Sequence, residues 1–150
     1  MTIKIHNWEN NLLNLMISRD SVPFEWGMHD CMTVSSDAVE AMTCMDPMKW
    51  ARGKYKTKQE AIDIVTNHFG LSFIDTFSQI FNDLGFKETD SVGLGDISFI
   101  KTENLDPEAS ELFGGVTLAT CFDPVGNMIV PGRDGLLLIL KYELVKSWKL

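Results

Sequence analysis

The hydrophobic pattern of the chain changes character once along its length. Up to about residue 85, apolar side chains recur every three or four positions; from about residue 95 they come in short runs separated by Gly, Asp and Asn. The first spacing places side chains on one face of a helix, and short apolar runs bounded by turn residues make strands. Helices first and strands second predict an α+β domain, with N-terminal helices packed on a C-terminal antiparallel sheet.

Local signals divide the helical half. Asn7 is placed to cap a helix bearing Trp8, Leu12, Leu15 and Met16, which fades near Asp20 before Pro23. Asp30 is placed to cap a second, whose stripe is Cys31, Val34, Ala38, Ala41, Met42 and Met45, ending before Asp46-Pro47. Thr57-Lys58-Gln59-Glu60 has capping-box form and opens a third, closed by Gly70. Phe73, Ile74, Phe77, Ile80, Phe81 and Leu84 make one wide apolar face, closed by Gly85. The strand candidates are Ile97–Ile100, Gly115–Cys121, Met128–Val130 and Gly135–Leu140. Turns are expected at Asp123–Asn127 and Gly132–Gly135, and a polar acidic surface loop between residues 102 and 112.

At 150 residues, with 45% apolar and 23% charged side chains, one domain spanning 1–150 with its own core is expected. A formal charge of −8 argues against nucleic acid and anionic membrane surfaces, which require clustered Lys and Arg. The acid is concentrated between Asp83 and Glu111, which marks a solvated or partner-facing side. No run approaches the ~18 apolar residues of a membrane span, and Met1–Glu9 lacks the apolar block of a secretory leader. The three cysteines, Cys31, Cys44 and Cys121, form no C-x-x-C pair, so neither a disulfide framework nor a zinc site is expected. No cofactor is implied. Synthesis in a reducing cytoplasm fits this cysteine usage.

The chemistry-bearing segment is Phe24-Glu25-Trp26-Gly27-Met28-His29-Asp30-Cys31. A thiol in the first turn of a helix lies near the positive end of the macrodipole, which favours thiolate and hence nucleophilicity. Asp30 opposes that effect, and the alignment of Cys31 with Val34 and Ala38 favours a plain core cysteine on spacing alone. His29, two residues before Cys31, is the one histidine near enough in sequence to serve as its base, but capping backbone groups or lining the groove is the preferred reading. His6 and His68 are expected at the surface. Arg52 is expected to bridge Asp30 or Asp46. Asp96 and Asp134 are read as turn and strand-edge residues. The methionines clustered from Met28 to Met48 are read as core filling.

Trp26-Gly-Met-His-Asp-Cys31 before a helix, with a later Gly95-Asp96-Ile97-Ser98-Phe99-Ile100 strand, resembles the NlpC-type cell-wall peptidases, which are small papain-like enzymes. More closely, the chain resembles a family of small bacteriophage proteins related to them. That likeness is carried by the Trp26–Cys31 block, Asp37-Ala-Val-Glu-Ala-Met-Thr43, Asp46-Pro47, Arg52-Gly-Lys-Tyr55 and Trp148. The resemblance implies a papain-like NlpC-type fold with Cys31 at the nucleophile position and Trp26, Asp30 and Phe113 about a groove. In such peptidases a strand His takes the thiol proton and a third polar residue orients it. Here those positions fall on Phe113 and near Val130, both apolar. The implied function is therefore a virion component, in the tail or tail tip, that keeps the fold without the chemistry and has other tail proteins as partners. Two alternatives stand beside it. One is a virion-associated peptidoglycan hydrolase using Cys31 and His29 during genome delivery. The other is a cytoplasmic assembly factor.

Overall fold

The computed structural model describes residues 3–103 and 114–150. Four helices come first: α1 (Trp8–Arg19), α2 (Cys31–Thr43), α3 (Lys58–Phe69) and α4 (Phe73–Asp83). Six strands follow: β1 (Lys87–Glu88), β2 (Ile97–Lys101), β3 (Val116–Cys121), β4 (Met128–Gly132), β5 (Gly135–Ile139) and β6 (Glu143–Lys149). They form one antiparallel sheet in the order β1-β6-β2-β3-β4-β5. The α+β arrangement expected from the change of hydrophobic pattern is thus the one observed.

The caps refine that expectation. Asp30 accepts from the Thr33 N–H (2.9 Å) while Thr33 Oγ1 accepts from the Asp30 N–H (2.8 Å), a reciprocal box that satisfies two donors at the start of α2. Asn7 behaves differently. It is left-handed (φ 62°) and makes no side-chain cap bond, so only its carbonyl serves α1, accepting from Asn11. At α3, Thr57 accepts from the Glu60 N–H (3.1 Å), but the Glu60 carboxylate reaches the Lys56 N–H (3.2 Å) rather than that of Thr57. Gly70 closes α3 in the left-handed conformation expected of it (φ 69°).

The strands β2 to β5 fall where the apolar runs predict, with β4 extending to Gly132 and β5 ending at Ile139. The strands β1 and β6 lie outside every such run. β6 returns to pair with β2 on one side and β1 on the other, carrying the fully buried Trp148 into the core. There its ring lies 5.0 Å from Phe81 and 5.7 Å from Phe99, and its Nε1–H donates to Asn82 Oδ1 (3.1 Å).

The main core lies between helices and sheet, built from Met32, Met42, Phe77, Phe81, Phe99 and Leu118 among others. The buried Met32, Met42 and Met48 fill it as expected, while Met28 is exposed. A smaller cluster of Ile100, Ala119, Cys121, Met128, Val130 and Ile139, flanked by Tyr142 and Leu144, covers the other face. Both faces of β3 and β4 are therefore buried, which is why these strands read as continuous apolar runs rather than as alternation.

Candidate functional site

The segment joining α1 to α2 folds back on itself before Cys31. His29 N–H donates to the Glu25 carbonyl (2.8 Å) and Glu25 N–H to that of His29 (3.2 Å), closing a tight loop around Gly27. Gly27 is left-handed (φ 85°), and any side chain there would collide with the Tyr55 carbonyl. Glycine is the residue this approach requires. Half-buried Trp26 stands edge-on to Phe24, with ring centroids 4.8 Å apart, and packs against the core.

Asp30 is fully buried and its carboxylate is used up. Oδ1 holds the Thr33 N–H; Oδ2 accepts from the Gly27 N–H (2.9 Å) and the Tyr55 O–H (2.6 Å). Burial and the adjacent carboxylate keep the Tyr55 phenol protonated far above its usual range. Asp30 is thus a structural acceptor that ties the loop, the start of α2 and Tyr55 together. Arg52 does not reach it, contrary to one of the two pairings expected. Its Nε meets Asp46 Oδ2 at 2.6 Å and its Nη2 meets Asp37 Oδ1 at 2.7 Å, while Arg19 holds the other Asp37 oxygen at 2.9 Å. The Asp37, Asp46 and Arg52 positions of the motifs thus form, with Arg19, one bracing network across α1, α2 and the turn after α2, while Tyr55 braces Asp30 separately.

Cys31 opens α2 but is only 6% exposed. Burial, reinforced by the negative Asp30, pushes its thiol up to about 11; hydrogen bonding from the Leu118 backbone and the Thr117 side chain opposes this without reversing it. Desolvation and the Asp30 charge outweigh the helix dipole. The groups that β3 brings to the thiol are Thr117 and Leu118, neither a base at neutral pH. His29 is 2% exposed, and neither ring nitrogen has a hydrogen-bond partner, Cys31 included. Burial and the nearby Arg19 charge lower its pKa, with Asp37 and Asp30 pulling the other way, so the ring is neutral at pH 7.

Phe113 lies outside the described residues. Gly114 and Gly115, which follow it, are both left-handed and lead into β3. Val130 is buried in the cluster on the other face of the sheet from Cys31. His6 and His68 are exposed, His68 stacked on Trp50 at 3.9 Å. Of the acidic loop, Glu103 is exposed, while Asp106, Glu108 and Glu111 fall outside the described residues. Among the described residues no group of His, Cys, Asp and Glu is placed to hold a metal ion, and no helix is long and apolar enough to cross a membrane.

Asp96 turns out to be more than a turn residue. It is fully buried, accepts from the Gly93 N–H (2.8 Å) and pairs with Lys149 of β6 at 3.0 Å. Its sequence neighbourhood offers no sign of that, because Lys149 lies on a strand far along the chain.

Residues 3–150 match the model of a family described as a domain of unknown function, DUF6950. No curated protein and no solved structure matches the chain.

Proposed function

We propose that this chain, which belongs to the DUF6950 family, is a papain-like NlpC-type domain that has lost its catalytic base and serves as a structural or adaptor subunit of a bacteriophage virion, in the tail or tail tip. The virion part of this reading is supported by the resemblance of the Trp26–Cys31 block and of the Asp37, Asp46 and Arg52–Tyr55 motifs to small phage proteins. Its partners are then other tail proteins. The non-catalytic part rests on one observation: the Cys31 thiol is buried, held to about 11, and faces Thr117 and Leu118 where a peptidase needs an imidazole. At pH 7 such a thiol is ionised in only about one molecule in ten thousand, and no neighbouring base takes its proton.

Iodoacetamide labelling tests the chemistry. Exposed Cys44 is an internal control, expected to react at an ordinary rate while Cys31 stays unlabelled at neutral pH. Purified protein should leave a cell-wall suspension turbid, and Cys31→Ser should leave infectivity intact. Clearing by wild type that is lost in Cys31→Ser would instead establish the hydrolase alternative. Mass spectrometry of purified particles tests the virion role, and absence of the chain from them would favour the assembly factor.

A further inference from the structure

The two edges of the sheet are built differently. β1 is two residues long and charged, Lys87-Glu88, which protects that edge from pairing with another chain. β5 at the other edge is Gly-Leu-Leu-Leu-Ile, with no charge along it and no described strand beyond it. Leu138 is 55% exposed, and Leu140 just after the strand is 64% exposed. Beside β5 runs an apolar cavity of about 390 Å³, lined by Leu13, Met16 and Ile17 of α1 and by Ile129, Leu136 and Leu138 of the sheet, with Asp20 also on its wall. Leu13 and Ile17 are themselves exposed.

The hairpin fixes which backbone groups face outward. Gly132 and Gly135 close a two-residue loop, so they and Val130–Leu137 are the hydrogen-bonded pairs, and Pro131, which has no N–H, faces Leu136 in a non-bonded pair. Leu136 and Leu138 therefore aim their N–H and C=O groups away from β4. One of these is taken: the Leu136 N–H donates to the Asp20 carbonyl at 3.0 Å. The open stretch is centred on Leu138.

We propose that β5 is the contact strand of a symmetric dimer, in which two copies pair antiparallel about Leu138 and their sheets join into one. A two-fold axis pairs residues of like orientation on the same strand; an axis at Leu137 puts the engaged Leu136 N–H into both central bonded pairs, whereas an axis at Leu138 leaves the Leu138–Leu138 pair free. In that register Leu140 of one copy reaches the Leu136 end of the other, where the Asp20 carbonyl already holds the N–H and ends the ladder, and Lys141 lies against Asp20 beside Gly135. Asp20 sits against Gly135, its carbonyl touching the position where a Cβ would be. The exposed Lys141 of the second copy thus arrives beside the exposed Asp20, twice by symmetry. The two cavities meet across the axis and bring Leu13 and Ile17 of both α1 helices together. The exposed parts of Leu13, Ile17, Leu137, Leu138 and Leu140 amount to on the order of 500 Å² per copy, a large share of the ~800 Å² per partner of a stable interface. This dimer does not depend on whether Cys31 is catalytic.

Sedimentation equilibrium on the full chain tests it. Wild type should approach twice 16.9 kDa as concentration rises, and Leu138→Lys should stay at the single-chain mass with an unchanged circular dichroism spectrum. Asp20→Lys should weaken association about fivefold, and adding Lys141→Asp should restore it, because the swap rebuilds both rim pairs. A wild type that stays at 16.9 kDa at its highest attainable concentration would overturn the proposal and leave the edge to a strand of a different protein. A dimer that survives Leu138→Lys, or a charge swap that fails to restore association, would overturn the β5 register.

Discussion

The entrance to α2 and the edge at β5 are opposites. At the entrance, every oxygen of the Asp30 carboxylate is engaged, Gly27 sits where only glycine fits, and the Asp37–Arg52–Asp46 network braces the loop from outside. At β5, leucines stand exposed beside an open apolar cavity and outward backbone groups have no strand to pair with among the described residues. Yet the entrance has the residues of a reactive site, and β5 has none. A Trp-Gly-x-His-Asp-Cys block next to a helix start looks like catalysis, but here most of its polar capacity is absorbed in holding its own backbone. Among the described residues, the buried His29 ring is left without a hydrogen-bond partner at the entrance, and the exposed leucines without a covering one at β5.

The contrast fails if the entrance can lose its central acceptor cheaply. Asp30→Ala removes the α2 cap and leaves the buried Gly27 N–H and Tyr55 O–H without an acceptor. Loss of a cap costs ~0.5–2 kcal/mol and each stranded buried donor ~1–3 kcal/mol. A loss on the order of 3–5 kcal/mol is therefore expected, read from the shift of the urea midpoint. Tyr55→Phe isolates one arm of that cluster. It deletes the 2.6 Å bond to the Asp30 carboxylate and leaves the ring in place. Hydrogen bonds to charged groups are worth ~1.5–3 kcal/mol, so a loss of about 2 kcal/mol is expected at constant m-value.

His29 sharpens the comparison through pH. Its folded pKa lies below the unfolded value near 6.5, because burial and Arg19 disfavour the imidazolium more than Asp37 and Asp30 support it. Below about pH 6.5 the unfolded chain binds the proton that the folded chain refuses, so stability rises with pH there. The full contribution is present above 6.5 and is lost as pH falls toward the depressed folded value, at no more than about 1.4 kcal/mol per pH unit. His29→Leu should flatten this slope between pH 7 and 5 in denaturation series. An unchanged slope would mean that the ring is not held neutral at the entrance to α2.

What the sequence makes legible follows from how local each cause is. The Asp30 cap, the α4 face and the turn at Gly132–Gly135 are set within a few residues, and each forms where its pattern predicts. Asp30–Tyr55 and Asp96–Lys149 span 25 and 53 residues, and no local pattern announces such a partner. The Arg52-Gly-Lys-Tyr55 motif was the available signal for Tyr55, since a phenol in an otherwise polar turn suggests a buried acceptor elsewhere. β6 carries no local strand signal for a related reason. Glu143–Lys149 places Lys146 and Ser147 among its apolar residues, and only pairing with β2 and β1 makes it a strand. The burial of Cys31 is legible in its alignment with Val34 and Ala38 on the core face of α2, whereas the identity of what covers the thiol, β3, is long-range and is not.

The smallest expected effect is the one that separates the two regions most cleanly. Leu138→Lys replaces a half-exposed leucine on an edge strand with the residue natural sheets most often use to protect such edges. Within a single copy the loss should stay within about 0.5 kcal/mol, the usual span for surface substitutions. Association adds stability by mass action, so wild type should gain apparent stability as protein concentration rises while the variant does not. Urea series at a low and a high concentration therefore separate fold from contact. Near-equality at the low concentration with divergence at the high one assigns Leu138 to contact between copies. A deficit above about 1 kcal/mol that is already present at the low concentration would assign it to the fold, because a residue that only meets a second copy cannot stabilise a chain that is alone.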